Sequence, residues 1–243
     1  RLTFKTSGDH TTRYVERWGD NGVLLTVVVD GDATGESQTF ELASNLVLEK
    51  ASEIYFNGGS ILNYSGAEVS LVKILTLGGS GQLQNTNDLN LGEGGKLKLS
   101  AVSVAKVITS ADSSGIEIEN DSTISNFVVG NITPVSIASG KSLSGSIAVN
   151  TGGKLQFSNT GTLASAISMN GGKLEAKESL TISGELIQSG NISIAVDSQK
   201  ILTFDSNQIL TEANQLTLEG NGTVAFPTNA SGIVLNNPAG LLR

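Results

Sequence analysis

The sequence predicts an all-β protein built as a parallel β-helix, or β-solenoid. Three observations point to this class: short stretches of alternating apolar and polar residues, small polar turns between those stretches, and near-repeats spaced roughly 20 residues apart. Gly, Ser, Thr and Asn together account for 100 of the 243 residues, beside a hydrophobic fraction of 38%. Such a chain has enough aliphatic residues for a core and an unusual supply of turn formers.

The first element along the chain is an N-terminal segment, residues 1–45, whose composition differs from the rest. It holds the only His (His10), the only Trp (Trp18) and three of the four Arg. The open end of a solenoid exposes unpaired strand edges that must be covered. We therefore predict that residues 1–45 form a capping or assembly segment.

Residues 46–243 are predicted to form the solenoid itself. A Gly-Gly turn followed by Lys or Ser and an aliphatic residue begins at Gly58, Gly94, Gly152 and Gly171, and one coil length separates the last two copies. In a solenoid, corresponding strands of successive coils pair in parallel, aliphatic residues stack inward, and Gly takes the corners that need a positive φ. At roughly 20 residues per coil, this segment holds about ten coils.

Large aromatic side chains are scarce in the second half of the chain. Beyond residue 64 only Phe127, Phe157, Phe204 and Phe226 remain. Each Phe falls on the same side of its strand as the neighbouring aliphatic residues. We therefore predict that these rings lie in the core and do not form an exposed platform for sugars.

A resemblance follows from the Gly-Gly-Lys-Leu turns, the Ser-Leu-Thr-Ile-Ser-Gly stretch of residues 179–184, and the Cys-free, Arg-poor composition. Over residues 46–243 the chain resembles bacterial surface β-solenoids, chiefly autotransporter passengers and filamentous-haemagglutinin-like adhesins. The likeness lies in composition and in the repeated turn and strand patterns, and no catalytic or binding motif of that group matches. It implies an exported, right-handed β-helix with an adhesive or structural role at a bacterial cell surface. Its partner is then a host or cell-surface protein or glycan.

Charge and composition exclude several functions. The formal net charge is −8, and the only Arg are Arg1, Arg13, Arg17 and Arg243, which disfavours nucleic acid and anionic membranes as partners. The longest apolar stretch, residues 23–29, is far too short to span a bilayer, so no membrane insertion is expected. Without Cys the chain has no disulfide, thiol nucleophile or thiolate metal site, and we expect no cofactor. Because it opens without an initiator Met, we expect a mature or trimmed product.

One loop is a candidate for a hard cation such as Ca²⁺. Asp30, Asp32 and Glu36 place three carboxylates close together in sequence, and Ca²⁺ prefers oxygen ligands. The spacing departs from the EF-hand loop, so we favour a plain acidic turn. Glu117 and Glu119 lie on one face of a predicted strand, as paired carboxylates do in glycosidases, but solvent-facing acids are the commoner arrangement.

Two alternatives to an adhesive module remain open. The first is a self-assembling extracellular filament or matrix subunit, joined end to end by strand pairing. Its contacts would come from apolar residues near the two ends: Val27, Val28, Val29, Ile233, Val234, Leu235, Leu241 and Leu242.

The second alternative is a polysaccharide-acting β-helix enzyme, similar to pectate lyases. Such an enzyme needs a general base and a cation to neutralise the uronate. Between residues 14 and 242 the only Arg is Arg17, and the predicted solenoid has no His. We therefore predict a non-catalytic protein.

Overall fold

The computed structural model describes residues 2–4, 25–29, 39–42, 51–56, 58–64, 69–71, 73–112, 114–205, 208–210, 214–225 and 234–235. Every regular element within these ranges is a β-strand, and none is a helix. No helix long and apolar enough to cross a membrane occurs in these ranges. The strands, in chain order, are β1 (Leu2–Phe4), β2 (Leu25–Val29), β3 (Thr39–Leu42), β4 (Ser52–Phe56), β5 (Ile61–Tyr64), β6 (Val69–Leu71), β7 (Ile74–Gly79), β8 (Gln82–Asn85), β9 (Leu89–Leu91), β10 (Lys96–Ser100), β11 (Ser103–Thr109), β12 (Gly115–Ile118), β13 (Ser122–Val129), β14 (Ile132–Ile137), β15 (Ser142–Asn150), β16 (Lys154–Phe157), β17 (Thr162–Leu163), β18 (Ala166–Asn170), β19 (Lys173–Ala176), β20 (Leu180–Ile182), β21 (Leu186–Gln188), β22 (Ile192–Val196), β23 (Ile201–Phe204), β24 (Gln208–Leu210), β25 (Leu216–Gly220), β26 (Thr223–Ala225) and β27 (Val234–Leu235).

These strands stack into three columns of parallel strands. Column I is the eleven-stranded sheet β1-β2-β4-β7-β10-β12-β14-β16-β19-β22-β25. Column II runs β3-β5-β8-β11-β13-β15-β17-β20-β23-β26, and column III joins β6, β9, the second halves of β11, β13 and β15, and then β18, β21, β24 and β27. From β4 to β24, each coil therefore contributes a strand, or half of a longer strand, to each column. The structure confirms the predicted parallel β-solenoid.

The coils vary in length. The register partners Gln156 and Glu175 are 19 residues apart, whereas Asn191 and Gln215, which are hydrogen-bonded across one coil step, are 24 residues apart. Eight complete turns join Ser52 to Gly220 in column I. The predicted number, about ten, refers to the longer range 46–243, which extends beyond these turns at both ends.

The core is a set of inward-facing stacks, one residue per coil. Phe127, Phe157 and Phe204 are almost fully buried, as predicted; Phe226 lies outside the described residues. In column I, Phe157 pairs with Val135 in the coil before it and with Ala176 in the coil after it. A small residue next to a large one in the same stack suits the close packing of protein interiors.

The predicted use of glycine at the corners is also confirmed. Gly58, Gly94, Gly152 and Gly171, the first residues of the four Gly-Gly turns, all have a positive φ. Glycine is also required inside a strand, at Gly145 in the middle of β15, where φ is 114° and a Cβ would lie 1.9 Å from a backbone oxygen of the preceding coil. There the strand turns from column II into column III, and the positive φ and the short distance exclude a Cβ at this position.

A buried hydroxyl pair interrupts the apolar core. Thr109 and Thr133 are fully buried, and their Oγ1 atoms are 2.6 Å apart although 24 residues separate them in sequence. A buried hydroxyl costs free energy unless it is hydrogen-bonded. The two hydroxyls bond to each other between neighbouring coils, and backbone oxygens also lie within reach: Thr109 Oγ1 is 3.4 Å from Val128 O, and Thr133 Oγ1 is 3.2 Å from Asn131 O.

The N-terminal segment contributes strands to the same sheets. Of residues 1–45 the structure describes β1, β2 and β3, and all three pair in parallel with the solenoid or with one another. β2 lies between β1 and β4 in column I, and β3 pairs with β5 in column II. Whether residues 1–45 act as a cap stays a prediction.

Candidate functional site

The outer face of column I carries charged side chains that pair between coils. Lys98 Nζ lies 3.0 Å from Glu117 Oε2 and 3.9 Å from Glu119 Oε1. Lys173 Nζ lies 2.6 Å from Glu219 Oε2. This hydrogen bond, helped by the charge of Lys173, lowers the pKa of Glu219. The two glutamates considered as a catalytic pair thus share one lysine in the structure.

Glu175 is the centre of the largest ionic cluster among the described residues. Only 9% of it is exposed, and its carboxylate lies 3.4 Å from Lys154 Nζ and 3.3 Å from Lys177 Nζ. Gln156 donates a 2.6 Å hydrogen bond from Nε2 to the same carboxylate. Burial alone would raise the pKa of Glu175, but the hydrogen bonds from Gln156 and Lys177 and the two positive charges outweigh it, so the pKa lies below its usual value. The Glu175 hydrogen bond and charge in turn raise the pKa of Lys177.

The sequence analysis did not identify this cluster, although the Gly-Gly-Lys-Leu repeat contains the signal. Two copies of the repeat place Lys154 and Lys173 in register, and two residues further on Gln156 falls opposite Glu175. Reading the repeat in register would have shown that the side chains face each other across neighbouring coils.

The outer face of column II is different, because it consists almost entirely of hydroxyl and amide side chains. Among the described strands of this column from β5 to β26, Lys106 is the one charged residue. One register row on this face runs through Ser142, Thr162, Thr181 and Thr203. A parallel row runs Gln82, Ser103, Thr123 and Ser144, and Thr123 Oγ1 lies 2.7 Å from Ser144 Oγ. The result is a long, mainly polar surface whose one charge among these described strands is that of Lys106.

A groove of about 460 Å³ lies at the corner between columns I and II. Its walls include Tyr55 at one end and Glu119 and Asn120 at the other, with Gly78 and Ser100 between them. Tyr55 is 43% exposed, which makes it one of the few large apolar side chains on the described surface. The sequence analysis did not single it out, although the alternation along β4 places Tyr55 on the outward side.

A second groove, of about 360 Å³, lies on the outer face of column II. It is lined by amides and hydroxyls such as Asn63, Gln82, Gln84 and Ser103. Gln84 donates a 3.1 Å hydrogen bond from Nε2 to Gln82 Oε1, so part of this lining pairs with itself.

The predicted cation loop and several predicted assembly contacts lie outside the described residues: Asp30, Asp32, Glu36, Ile233, Leu241 and Leu242. In the part of the chain that the structure describes, no group of three or more His, Cys, Asp or Glu is placed to hold a metal ion.

The other predicted assembly contacts lie in strands that already have partners. Val27, Val28 and Val29 belong to β2, whose backbone pairs with β1 on one side and β4 on the other. Val234 and Leu235 form β27, which pairs with β24. Strand pairing with another molecule through β2 would therefore have to displace β1. That these residues contact another copy stays a prediction.

The chain was compared with protein-family models, curated proteins and solved structures. None of the three comparisons found a match.

Proposed function

We propose that this protein is a non-catalytic structural and adhesive module of a bacterial cell surface, acting outside the cell. The observation that carries the proposal is the division of its outer surface into two kinds of face. The outer face of column II repeats uncharged hydroxyl and amide side chains in register over successive coils, whereas the outer face of column I carries ion pairs such as Lys98–Glu117, Lys154–Glu175 and Lys173–Glu219. A surface of this kind offers many equivalent weak contacts.

The proposed mechanism is multivalent contact by a stiff rod. Each coil advances the stack by about 4.8 Å, so the eight turns between Ser52 and Gly220 form a rod about 40 Å long. Individual hydroxyl contacts to a protein or glycan are weak, but several made by one rigid body raise the overall affinity without ordering a flexible chain.

The experiment measures retention of the fluorescently labelled protein on animal cells and on extracellular-matrix coatings. T162E/T181E adds two charges to the polar face of column II. As a control, S158E/T217E adds two charges on the column I side, at Ser158 directly after β16 and at Thr217 in β25. We expect the first pair to abolish retention and the second to leave it unchanged. Equal retention of both variants, or no retention of the native protein, contradicts the proposal. So does depolymerisation of any polysaccharide in a broad screen.

A filament subunit is the second candidate, and the open strand edges favour it. Within the described residues, β25 pairs only with β22, and β1 pairs only with β2, so column I ends in an edge strand on each side. Edge strands of this kind can pair with another copy. Electron microscopy separates the two functions: fibres that disappear on deletion of residues 1–22 support the filament, and isolated rods support the adhesin.

A further inference from the structure

Tyr55 belongs to a row of outward-facing residues that are register partners in successive coils. The groove beside Tyr55 exists because the next two residues of this row are a glycine and a serine. In register across four coils this row reads Tyr55, Gly78, Ser100 and Glu119, the last by continuation of the pairing that joins Leu99 to Ile118. At about 4.8 Å per coil, roughly 14 Å separates the strands that carry Tyr55 and Glu119. Because Gly78 has no side chain and Ser100 a short one, the row contains a gap over these two coils, and the Tyr55 ring extends into part of it.

The tyrosine ring forms one end of this gap. A Cβ on Gly78 would lie 3.0 Å from Tyr55 Cδ2, so the ring lies against the glycine and extends into the groove. Tyr55 nevertheless keeps 43% of its surface exposed. An exposed ring face carries negative π density, which attracts the polarised C–H groups on the face of a pyranose.

The opposite end supplies hydrogen-bonding groups. Asn120 donates a 2.8 Å hydrogen bond from Nδ2 to Ser100 Oγ, which holds this amide beside the gap. Glu119 stands next to Asn120 with 46% of its side chain exposed. Carboxylate and amide oxygens together accept hydrogen bonds from neighbouring sugar hydroxyls.

The charge of the groove decides which sugars fit. Glu53 and Glu119 both line it, and the cation close to it, Lys98, lies nearer to Glu117 (3.0 Å) than to Glu119 (3.9 Å). An anionic sugar such as a uronate would be repelled by the two carboxylates. An uncharged sugar would stack on Tyr55 and donate to Glu119.

We propose that this groove binds an uncharged pyranose segment of an oligosaccharide, stacked on Tyr55 and hydrogen-bonded to Glu119 and Asn120. The inference deepens the adhesive function proposed above by naming a ligand class, yet it uses a different surface from the polar face of column II. The two ideas can therefore fail separately.

The test is isothermal titration of the whole chain with neutral tetrasaccharides of glucose, galactose and mannose, and with tetragalacturonate. Four variants accompany the native protein: Y55A removes the ring, Y55F keeps the ring without its hydroxyl, S100F fills the groove, and I201A removes an exposed apolar side chain from another column. Denaturant unfolding of each variant confirms that it is folded.

We expect at least one neutral tetrasaccharide to bind, and Y55A and S100F to weaken it by about tenfold or more, equivalent to about 1.4 kcal/mol. Y55F should stay within about threefold of the native affinity, and I201A should match it. The proposal is overturned if no neutral tetrasaccharide binds, if Y55A and S100F bind as the native protein does, or if tetragalacturonate binds as tightly as its neutral counterparts. If the native protein is retained on cells but binds no tetrasaccharide, the sugar-binding groove is refuted and the adhesive function is not. Loss of retention in T162E/T181E with intact sugar binding would leave both ideas standing.

Discussion

Replacing Phe157 with Ala is a sharp perturbation of the stacked core. The ring is 1% exposed and packs between Val135 and Ala176 in the neighbouring coils. Because backbone pairing holds β16 between β14 and β19, the side chains above and below cannot move in to fill the space. We therefore expect F157A to leave a cavity that does not collapse.

The magnitude follows from the buried area. A Phe side chain buries roughly 150–200 Å² of mainly apolar surface. At about 25 cal/mol per Å² this is roughly 4 kcal/mol, within the range of about 3–5 kcal/mol for Phe to Ala in a core. A176F alone overpacks the same stack and should cost about 1–3 kcal/mol. The double variant F157A/A176F restores the volume one coil further along, so it should be less destabilised than the sum of the two.

The assay is guanidinium unfolding followed by circular dichroism, with I201A as the control. Ile201 is 46% exposed, so its truncation should cost less than about 1 kcal/mol. A loss below about 1 kcal/mol for F157A would refute the stacked core. Additivity of F157A and A176F would refute the contact between the two coils.

Three further predictions concern the corners and the polar pairs. G145A should destabilise by roughly 3 kcal/mol or more in thermal unfolding, because the strain of a positive φ adds to a clash; G140A, where a Cβ meets open space, should cost only about 1 kcal/mol. T133V should cost about 1–3 kcal/mol in denaturant unfolding because Thr109 Oγ1 loses the hydroxyl that donates to it, and adding T109V should restore part of the loss. The folded-state pKa of Glu175 is lowered, so its contribution to stability is complete above the unfolded-state pKa, about 4.3, and is lost as the pH falls through the lower folded value. E175Q should therefore lower the melting temperature at pH 7 and flatten its acid dependence; parallel pH curves for the two proteins would contradict this.

The fold could be predicted from the sequence because each coil of a solenoid repeats the same local pattern of alternating residues and turns. Alternation identifies strands such as β10, where Leu97 and Leu99 face the core, and the glycines of the turns mark the corners. The register was harder to predict. Ile61 and Leu83 look equivalent because each follows a glycine turn in its own coil, yet the structure pairs Leu62 with Leu83 and leaves Ile61 facing outward. A shift of one residue moves every side chain to the other face of the sheet.

The candidate sites could not be predicted from the sequence because they depend on the register between coils. The Tyr55 groove depends on the vertical alignment of Tyr55, Gly78 and Ser100, which lie in three successive coils of unequal length. Composition cannot supply that alignment. The pairing of Gln156 with Glu175 could have been predicted. These residues are 19 positions apart, the same interval that separates the two Gly-Gly-Lys-Leu copies beside them.

Everything proposed here depends on the in-register stacking of successive coils, and one cross-linking measurement tests it directly. The chain has no Cys, so a disulfide can form only between introduced residues. Thr162 and Thr181 are direct register partners on the outer face of column II, and Thr203 stands one coil further. Paired strands lie about 4.8 Å apart, within reach of a disulfide, whereas two coils span about 9.6 Å and are not. Under mild oxidation, mass spectrometry should find an intramolecular disulfide in T162C/T181C and none in T162C/T203C; the reverse pattern would contradict the stacking.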